Sequence, residues 1–175
     1  MTFYPADPSC YRDCAIPQQS TRDFAGRDLF AETAAAAEKH GIGLHAWVTC
    51  FANSRVARDY PAMAVQNLYG SRDRLFLCFN NPEVRKFVQA MMLELVTRYP
   101  LRSLMADKIP QAMLELNSFG GRIDPLLRLA GSVCFCEHCL ARAQADGVDL
   151  AAARQILTRV ADAIGVKLSI HVEAA

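Results

Sequence analysis

Apolar positions along the chain recur at a helical period in some stretches and run almost continuously in others, and this alternation predicts helices feeding buried strands. Leu29, Phe30, Ala36 and Ala37 fall on one side of a helix from Asp28 to His40. Its alanine run favours helix, and Gly41 stands where a chain leaving a helix turns left-handed. Residues 44–51, Leu-His-Ala-Trp-Val-Thr-Cys-Phe, are then nearly all apolar or β-forming, the pattern of a parallel strand covered on both faces. A second helix opens at Asn81-Pro82-Glu83, where Asn caps, Pro suits the first turn and Glu complements the helix dipole. Val84, Phe87, Val88, Met91 and Leu95 form its inward face, and Pro100 stops it after Tyr99. Residues 102–109, closed by Pro110, read as a second buried strand. Asp149 caps a third helix through Leu150, Ile156, Leu157, Val160 and Ile164, after which Gly165 leads into an alternating, strand-like segment from Val166 to Val172.

The intervening stretches are less regular. Residues 1–25 are rich in Pro, Asp, Ser and Gln without a sustained period, predicting a loop or extended entry segment. Residues 117–121 read as a loop and residues 124–130 as one short helix. Helices alternating with buried strands imply the α/β class with a parallel sheet, either open or part of a barrel, and the pattern does not choose between these. The expected organisation is an entry segment over 1–25 and one α/β domain over 26–175, with a cysteine-rich insertion around 131–140.

Composition narrows the function classes. A chain of 175 residues that is 52% hydrophobic suits one soluble globular domain. Nineteen basic and eighteen acidic residues, dispersed along the chain, form no basic stripe, which argues against nucleic acid and against an anionic membrane surface. The first residues lack a charged then apolar leader, and no apolar run approaches the roughly 18 residues of a membrane span, so the expected location is cytoplasmic. Seven cysteines, an odd number with metal-like spacing, fit a reducing compartment better than a disulfide framework.

The most informative stretch is Cys134-Phe-Cys136-Glu-His-Cys139. Three thiols this close can converge on one soft metal ion, and structural zinc takes four ligands, so a fourth must come from elsewhere. Cys78 is the first choice, with Cys50 and His138 behind it. Four thiolates leave no open position for water, so such a zinc is structural. Free buried thiols, or a redox pair at Cys136-x2-Cys139, are the competing expectations; the additional Cys134 favours the metal. Cys10-x3-Cys14 lacks a third ligand nearby and is assigned no role.

Reactive groups in parallel α/β folds gather at the C-terminal ends of strands. The first predicted strand puts His45, Trp47 and Thr49 on one face, followed by Asn53, and the second ends at Asp107 and Lys108. Asp107 is the strongest single catalytic candidate, set against an ion pair with Lys108 or a turn cap. His45 is expected as a satisfied core histidine and Trp47 as a buried strand residue, ahead of roles in binding sugar, although an indole face does pack well on a pyranose ring. Glu115 and Asp124 are expected to be solvated.

Taken in order, Gly26-Arg-Asp-Leu-Phe, Glu38-Lys-His-Gly-Ile-Gly-Leu-His-Ala-Trp-Val, Asn80-Asn-Pro-Glu-Val-Arg85 and the cysteine run make residues 22–150 resemble the glycoside-hydrolase-like TIM-barrel proteins of bacteria. The cysteines are similar to the zinc site of some barrel β-galactosidases, where one cysteine just before the corresponding helix joins a Cys-x-Cys-x2-Cys run; this resemblance selects Cys78 over Cys50. It implies a carbohydrate substrate, acid-base hydrolysis of a glycosidic bond with Asp107 as acid/base or sugar-binding carboxylate, and substrate contacts from His45, Trp47 and Asn53. The chain departs from the family in carrying Asp107-Lys108 where a Glu is usual. A complete barrel runs to about 250 residues, so three to four βα units imply a partial (βα)8 barrel, a piece whose second carboxylate lies beyond Ala175. Little turnover by this chain alone is expected, together with a homo-oligomer or a missing barrel half to cover open sheet edges. A non-enzymatic, zinc-stabilised interaction module is the alternative.

Overall fold

Asp28 begins the first helix as its sequence predicts: the carboxylate accepts the Ala31 N–H at 2.9 Å, satisfying one of the donors a helix start leaves free. The computed structural model describes residues 4–18, 26–109 and 132–163. In chain order the elements are α1 (Leu29–Lys39), β1 (Leu44–Thr49), α2 (Ser54–Asp59), β2 (Ala64–Gln66), β3 (Arg72–Leu77), α3 (Pro82–Arg98), β4 (Leu101–Asp107), α4 (Glu137–Ala145) and α5 (Leu150–Ala163), with 3-10 turns at Pro8–Tyr11 and Pro61–Met63. The expectations for residues 117–121, residues 124–130, Glu115, Asp124 and the strand from Val166 to Val172 lie outside the described residues.

The chain divides into two compact units, each made of two separate stretches: Met1–Cys50 with Pro82–Ile109, and Phe51–Asn81 with Pro110–Ala175. In the first, β1 and β4 pair in parallel, with Ala46 opposite Leu104, Trp47 opposite Met105 and Thr49 opposite Asp107. The ladder continues one step as Cys50 N–H donates to the Asp107 carbonyl at 2.9 Å. Helix between parallel strands is the α/β arrangement that the alternation predicted.

Three details of the first unit differ from expectation, one being that β4, read as a second buried strand, has only half-buried and exposed residues. The strand β1 is covered on one face only: Ala46 and Val48 are buried, whereas His45, Trp47 and Thr49 are exposed. The near-continuous apolar run suggested two covered faces because Trp47 and Thr49 are β-forming whether buried or not. In α1 the buried alanine is Ala34, and Ala36 is exposed; a run of four alanines carries too little contrast to fix the face. The helix α3 buries Val84, Phe87, Val88 and Leu95 as predicted, and also Glu94, which is 0% exposed.

Glu94 explains the entry segment. Its carboxylate accepts from Tyr11 Oη at 2.7 Å, Tyr4 Oη at 3.3 Å, the Asp7 N–H at 2.6 Å and Arg98 at 2.7 Å. A buried carboxylate needs this many donors, and four residues of the irregular start of the chain are thereby tied to α3 or its last turn, where Arg98 also donates to the Pro5 carbonyl at 2.6 Å.

The second unit holds a short antiparallel pair. Strands β2 and β3 meet around a turn built by Asn67, whose Oδ1 accepts the N–H groups of Tyr69 at 3.0 Å and Ser71 at 2.9 Å, with Gly70 at φ +91°. Only glycine takes that backbone conformation without strain. The helix α2 packs beside β3, its start capped by Asn53 Oδ1 on the Val56 N–H at 3.1 Å. Asp149 caps α5 through the Ala152 N–H at 2.9 Å, as predicted.

Candidate metal centre

Four cysteines reach one point of the second unit from three local structures. Cys78 directly follows β3, and its N–H donates to the Met63 carbonyl at 2.8 Å while its carbonyl accepts the Asn81 N–H at 3.1 Å, so a closed turn presents its side chain. The stretch before α4 lies along β2: Phe135 N–H donates to the Gln66 carbonyl at 2.8 Å, and Gln66 N–H points back to Cys134 Sγ at 3.3 Å. Cys136 stands at the N-cap position of α4 and Cys139 sits in its first turn. A cap and a position three residues on face the same side of a helix start, which is why Cys-x2-Cys places two sulfurs together.

The sulfurs of Cys78, Cys134, Cys136 and Cys139 all lie within 4.8 Å of one another, and all four residues are buried. Cys78 Sγ stands 3.4 Å from Cys136 Sγ and 3.5 Å from Cys139 Sγ. A tetrahedron with metal–sulfur bonds of about 2.3 Å has edges of roughly 3.8 Å, so the spacing fits a tetrathiolate ion; a disulfide would need about 2.05 Å, and the cysteines are free. Val65 and Phe76 pack with the four residues, and Ala52 and Leu150 close over them. The side chains of this apolar shell carry no competing ligand atom.

Mutual contact sets the thiols apart electrostatically. Cys134, Cys136 and Cys139 hydrogen-bond Cys78 and, with burial, push its thiol far up. Contacts with Cys134 and Cys136 also raise Cys139. Cys136 moves well down because Cys134, Cys139 and Cys78 all stabilise its thiolate. Cys134 is pushed up by Cys136 but pulled down further by Cys139 and Cys78, to about 7. The quartet shares protons among sulfurs that cannot all carry charge together in a dry pocket without a cation.

Cys78 is therefore the cysteine that joins the knuckle. Cys50 lies in the other unit, buried, with its Sγ on the Val48 carbonyl at 3.6 Å. His138 sits next to the ligands but its Nε2 faces Glu137 Oε1 at 3.7 Å. Cys10 and Cys14 are half-buried free thiols.

His45, Trp47 and Asp107 belong to the first unit and Asn53 to the second. His45 is not a core histidine: it is exposed, with Nδ1 2.7 Å from Ser103 Oγ. Trp47 is not a buried strand residue either, being 69% exposed beside Met105, which also faces outward. Register puts Asp107 on the same side as Trp47, at the strand's C-terminal end, with Oδ1 accepting the Lys108 N–H at 2.7 Å. Lys108 adopts φ +54°, an uncommon conformation for a residue with a side chain. Asn53 uses its side chain for the α2 cap.

Sequence reasoning missed Asn80, whose Nδ2 stands 3.3 Å from Cys139 Sγ, and Gln66, whose backbone meets Cys134. The adjacency of Asn80 to Cys78 was the available signal for the first; a backbone donor leaves none. No helix among the described residues is long and apolar enough to cross a membrane. Comparison with known protein families, characterised proteins and solved structures finds no match to the chain.

Proposed function

We propose that the second unit is organised around one structural zinc ion held by Cys78, Cys134, Cys136 and Cys139, within a glycoside-hydrolase-like protein built on a partial (βα)8 barrel. The observation that carries the zinc assignment is the convergence of four buried sulfurs in an apolar shell. Four soft, closely spaced thiolates suit zinc and fill its tetrahedral shell, so the ion supplies cross-linking and not Lewis-acid chemistry. Cys78 brings the β2–β3 part of the unit and the knuckle brings the α4–α5 part. Metal binding then joins two stretches separated by the whole of α3 and β4, and its free energy becomes folding free energy of the unit.

Metal analysis of protein purified without added zinc, with free-thiol counts, tests the proposal. About one zinc per chain is expected, displaced by thiol modification, with Cys78→Ser abolishing binding and Cys50→Ser leaving it intact. An intact fold with no metal and unprotected thiols overturns it, and iron in place of zinc overturns the choice of ion.

The carbohydrate part rests on the family resemblance, and one observation favours it: an outward-facing Trp47 shares a sheet face with His45 and, by register, with Asp107. An exposed indole is a stacking surface for a sugar ring, and a strand-end carboxylate is where parallel α/β proteins keep reactive groups. Glycoside hydrolysis needs a second carboxylate, so this chain alone should turn over aryl glycosides slowly or not at all. Turnover that vanishes in Asp107→Asn would overturn that expectation and establish Asp107 as a catalytic residue.

A further inference from the structure

A tetrathiolate bound to a divalent cation keeps two surplus negative charges, and in an apolar shell those charges need hydrogen-bond donors. Among the described residues the Cys139 backbone amide serves Cys136, and two further donors stand against the other sulfurs. Gln66 N–H meets Cys134 Sγ at 3.3 Å and the Asn80 side-chain amide meets Cys139 Sγ at 3.3 Å. Because a thiolate sulfur can only accept, the amide nitrogen and not its oxygen must face Cys139.

Resting on the zinc reading above, we infer that Asn80 is a positioning residue of the metal centre, whose side-chain N–H aims the Cys139 sulfur at the ion and takes up part of its charge. Its location suits that role. Asn80 is two residues beyond Cys78, inside the turn closed by Asn81 N–H on the Cys78 carbonyl. The backbone that delivers one ligand thus also delivers the donor that orients another, from a distant part of the chain. Asn80 is half-buried, so its amide is partly shielded from the water that would otherwise compete for the bond. The Gln66 donor belongs to the backbone and outlasts a change of side chain, which leaves Asn80 as the adjustable member of the shell.

The test compares the full chain with Asn80→Asp, which keeps the shape and presents an acceptor to the sulfur, and with Asn80→Ala. Each is loaded with cobalt(II) as a zinc substitute and its thiolate-to-metal charge-transfer absorption recorded; zinc affinity is then measured by competition with a chromophoric chelator. All three should bind about one ion. In both variants the charge-transfer band should shift to lower energy, as a less hydrogen-bonded thiolate donates electrons more readily, and zinc affinity should fall by about 10- to 100-fold, more for Asn80→Asp. Variants with the wild-type band and affinity overturn the inference while leaving the zinc site standing, and so does a lowered melting temperature with an unchanged band, which would make Asn80 a fold residue only. A wild-type chain that takes up no cobalt and no zinc overturns the zinc reading and this inference with it.

Discussion

Tyr11 Oη donates to the Glu94 carboxylate at 2.7 Å, joining the irregular start of the chain to the buried face of α3 near its C-terminal end. Burial and then the bond to Glu94 hold the Tyr11 phenol far above its ordinary pKa, and burial with the Glu94 charge does the same for Tyr4. Both therefore stay donors throughout the accessible pH range. Removing the acceptor takes one partner from two hydroxyls, one backbone amide and Arg98, which keeps its bonds to the Pro5 carbonyl and Asp28. Breaking a buried charged pair from one side costs about 3–5 kcal/mol, so Glu94→Ala should lower unfolding stability by about 3 kcal/mol or more. Glu94→Gln should recover only part of this, since its NH2 would oppose donors. Urea denaturation of the metal-loaded chain measures both; a loss under about 1 kcal/mol would show that the network adds little beyond its packing.

Glu83 provides a pH-dependent tether for the same segment. At the start of α3 it accepts Lys86 Nζ at 2.7 Å and the Ala15 N–H at 3.1 Å. The lysine first, and then the Ala15 amide, hold its carboxyl below the usual glutamate value of 4.5. A folded-state pKa that is depressed contributes stability above the unfolded value, lost as pH falls through the folded one. Protection of the Ala15 amide from hydrogen exchange should accordingly be full near neutrality and decline below pH 4.5. Glu83→Gln should flatten that decline; an unchanged profile would place the tether elsewhere.

The chain has one tryptophan, so its indole fluorescence reports Trp47 alone. At 69% exposure the emission should be that of a hydrated indole, quenched efficiently by iodide. Oligosaccharides that stack on the ring should shift the emission to shorter wavelength and protect it from iodide, and Met105→Ala, which removes its neighbour across the strand pair, should weaken that effect. A free chain with blue-shifted, iodide-resistant emission would mean the sheet face is covered in solution.

Arg154 bolts α5 to the neighbourhood of the cysteines. Its Nε donates to the Leu68 carbonyl at 2.6 Å and its guanidinium lies 5.8 Å from the Phe135 ring centroid, beside the knuckle. Phe135 and Leu68 form a small buried cluster of their own. Arg154→Ala removes a charged hydrogen bond and a cation–π interaction together, and should cost about 2 kcal/mol. Arg154→Lys should rescue little, because an ammonium cannot lie flat on the ring and make a directed N–H bond at once. Thermal denaturation at fixed zinc concentration separates the two variants, and equal stability of Lys and wild type would refute the geometric argument.

Much of this architecture is legible in the amino-acid order. Helices announced by caps or a first-turn proline begin where Asp28, Pro82 and Asp149 place them, because such signals are settled between neighbouring residues. Three members of the cysteine quartet are legible because Cys-x-Cys-x2-Cys is a spacing with few uses other than metal binding, while the choice of Cys78 over Cys50 as the fourth comes from the family resemblance. The strands β2 and β3 escape notice: three residues make too brief a pattern for β2, the charged Arg72-Asp73-Arg74 disguises β3, and their pairing depends on Asn67 bending the chain through side-chain acceptance, which no periodicity records. The exposure of Trp47 is equally hidden, since hydrophobicity states what a side chain prefers and not whether anything is there to cover it. Glu94 is missed for the converse reason: a carboxylate on a helix reads as solvated until its distant tyrosines are known.

The division of each unit into two stretches also imposes an order on synthesis. Cys78 leaves the ribosome while its three fellow ligands are still unmade, and α3 and β4, which belong to the other unit, emerge in between. The nascent chain therefore carries a single thiol of the quartet until the knuckle is made. A chain that stops before Cys134 carries Cys78 without the three sulfurs that surround it in the finished unit.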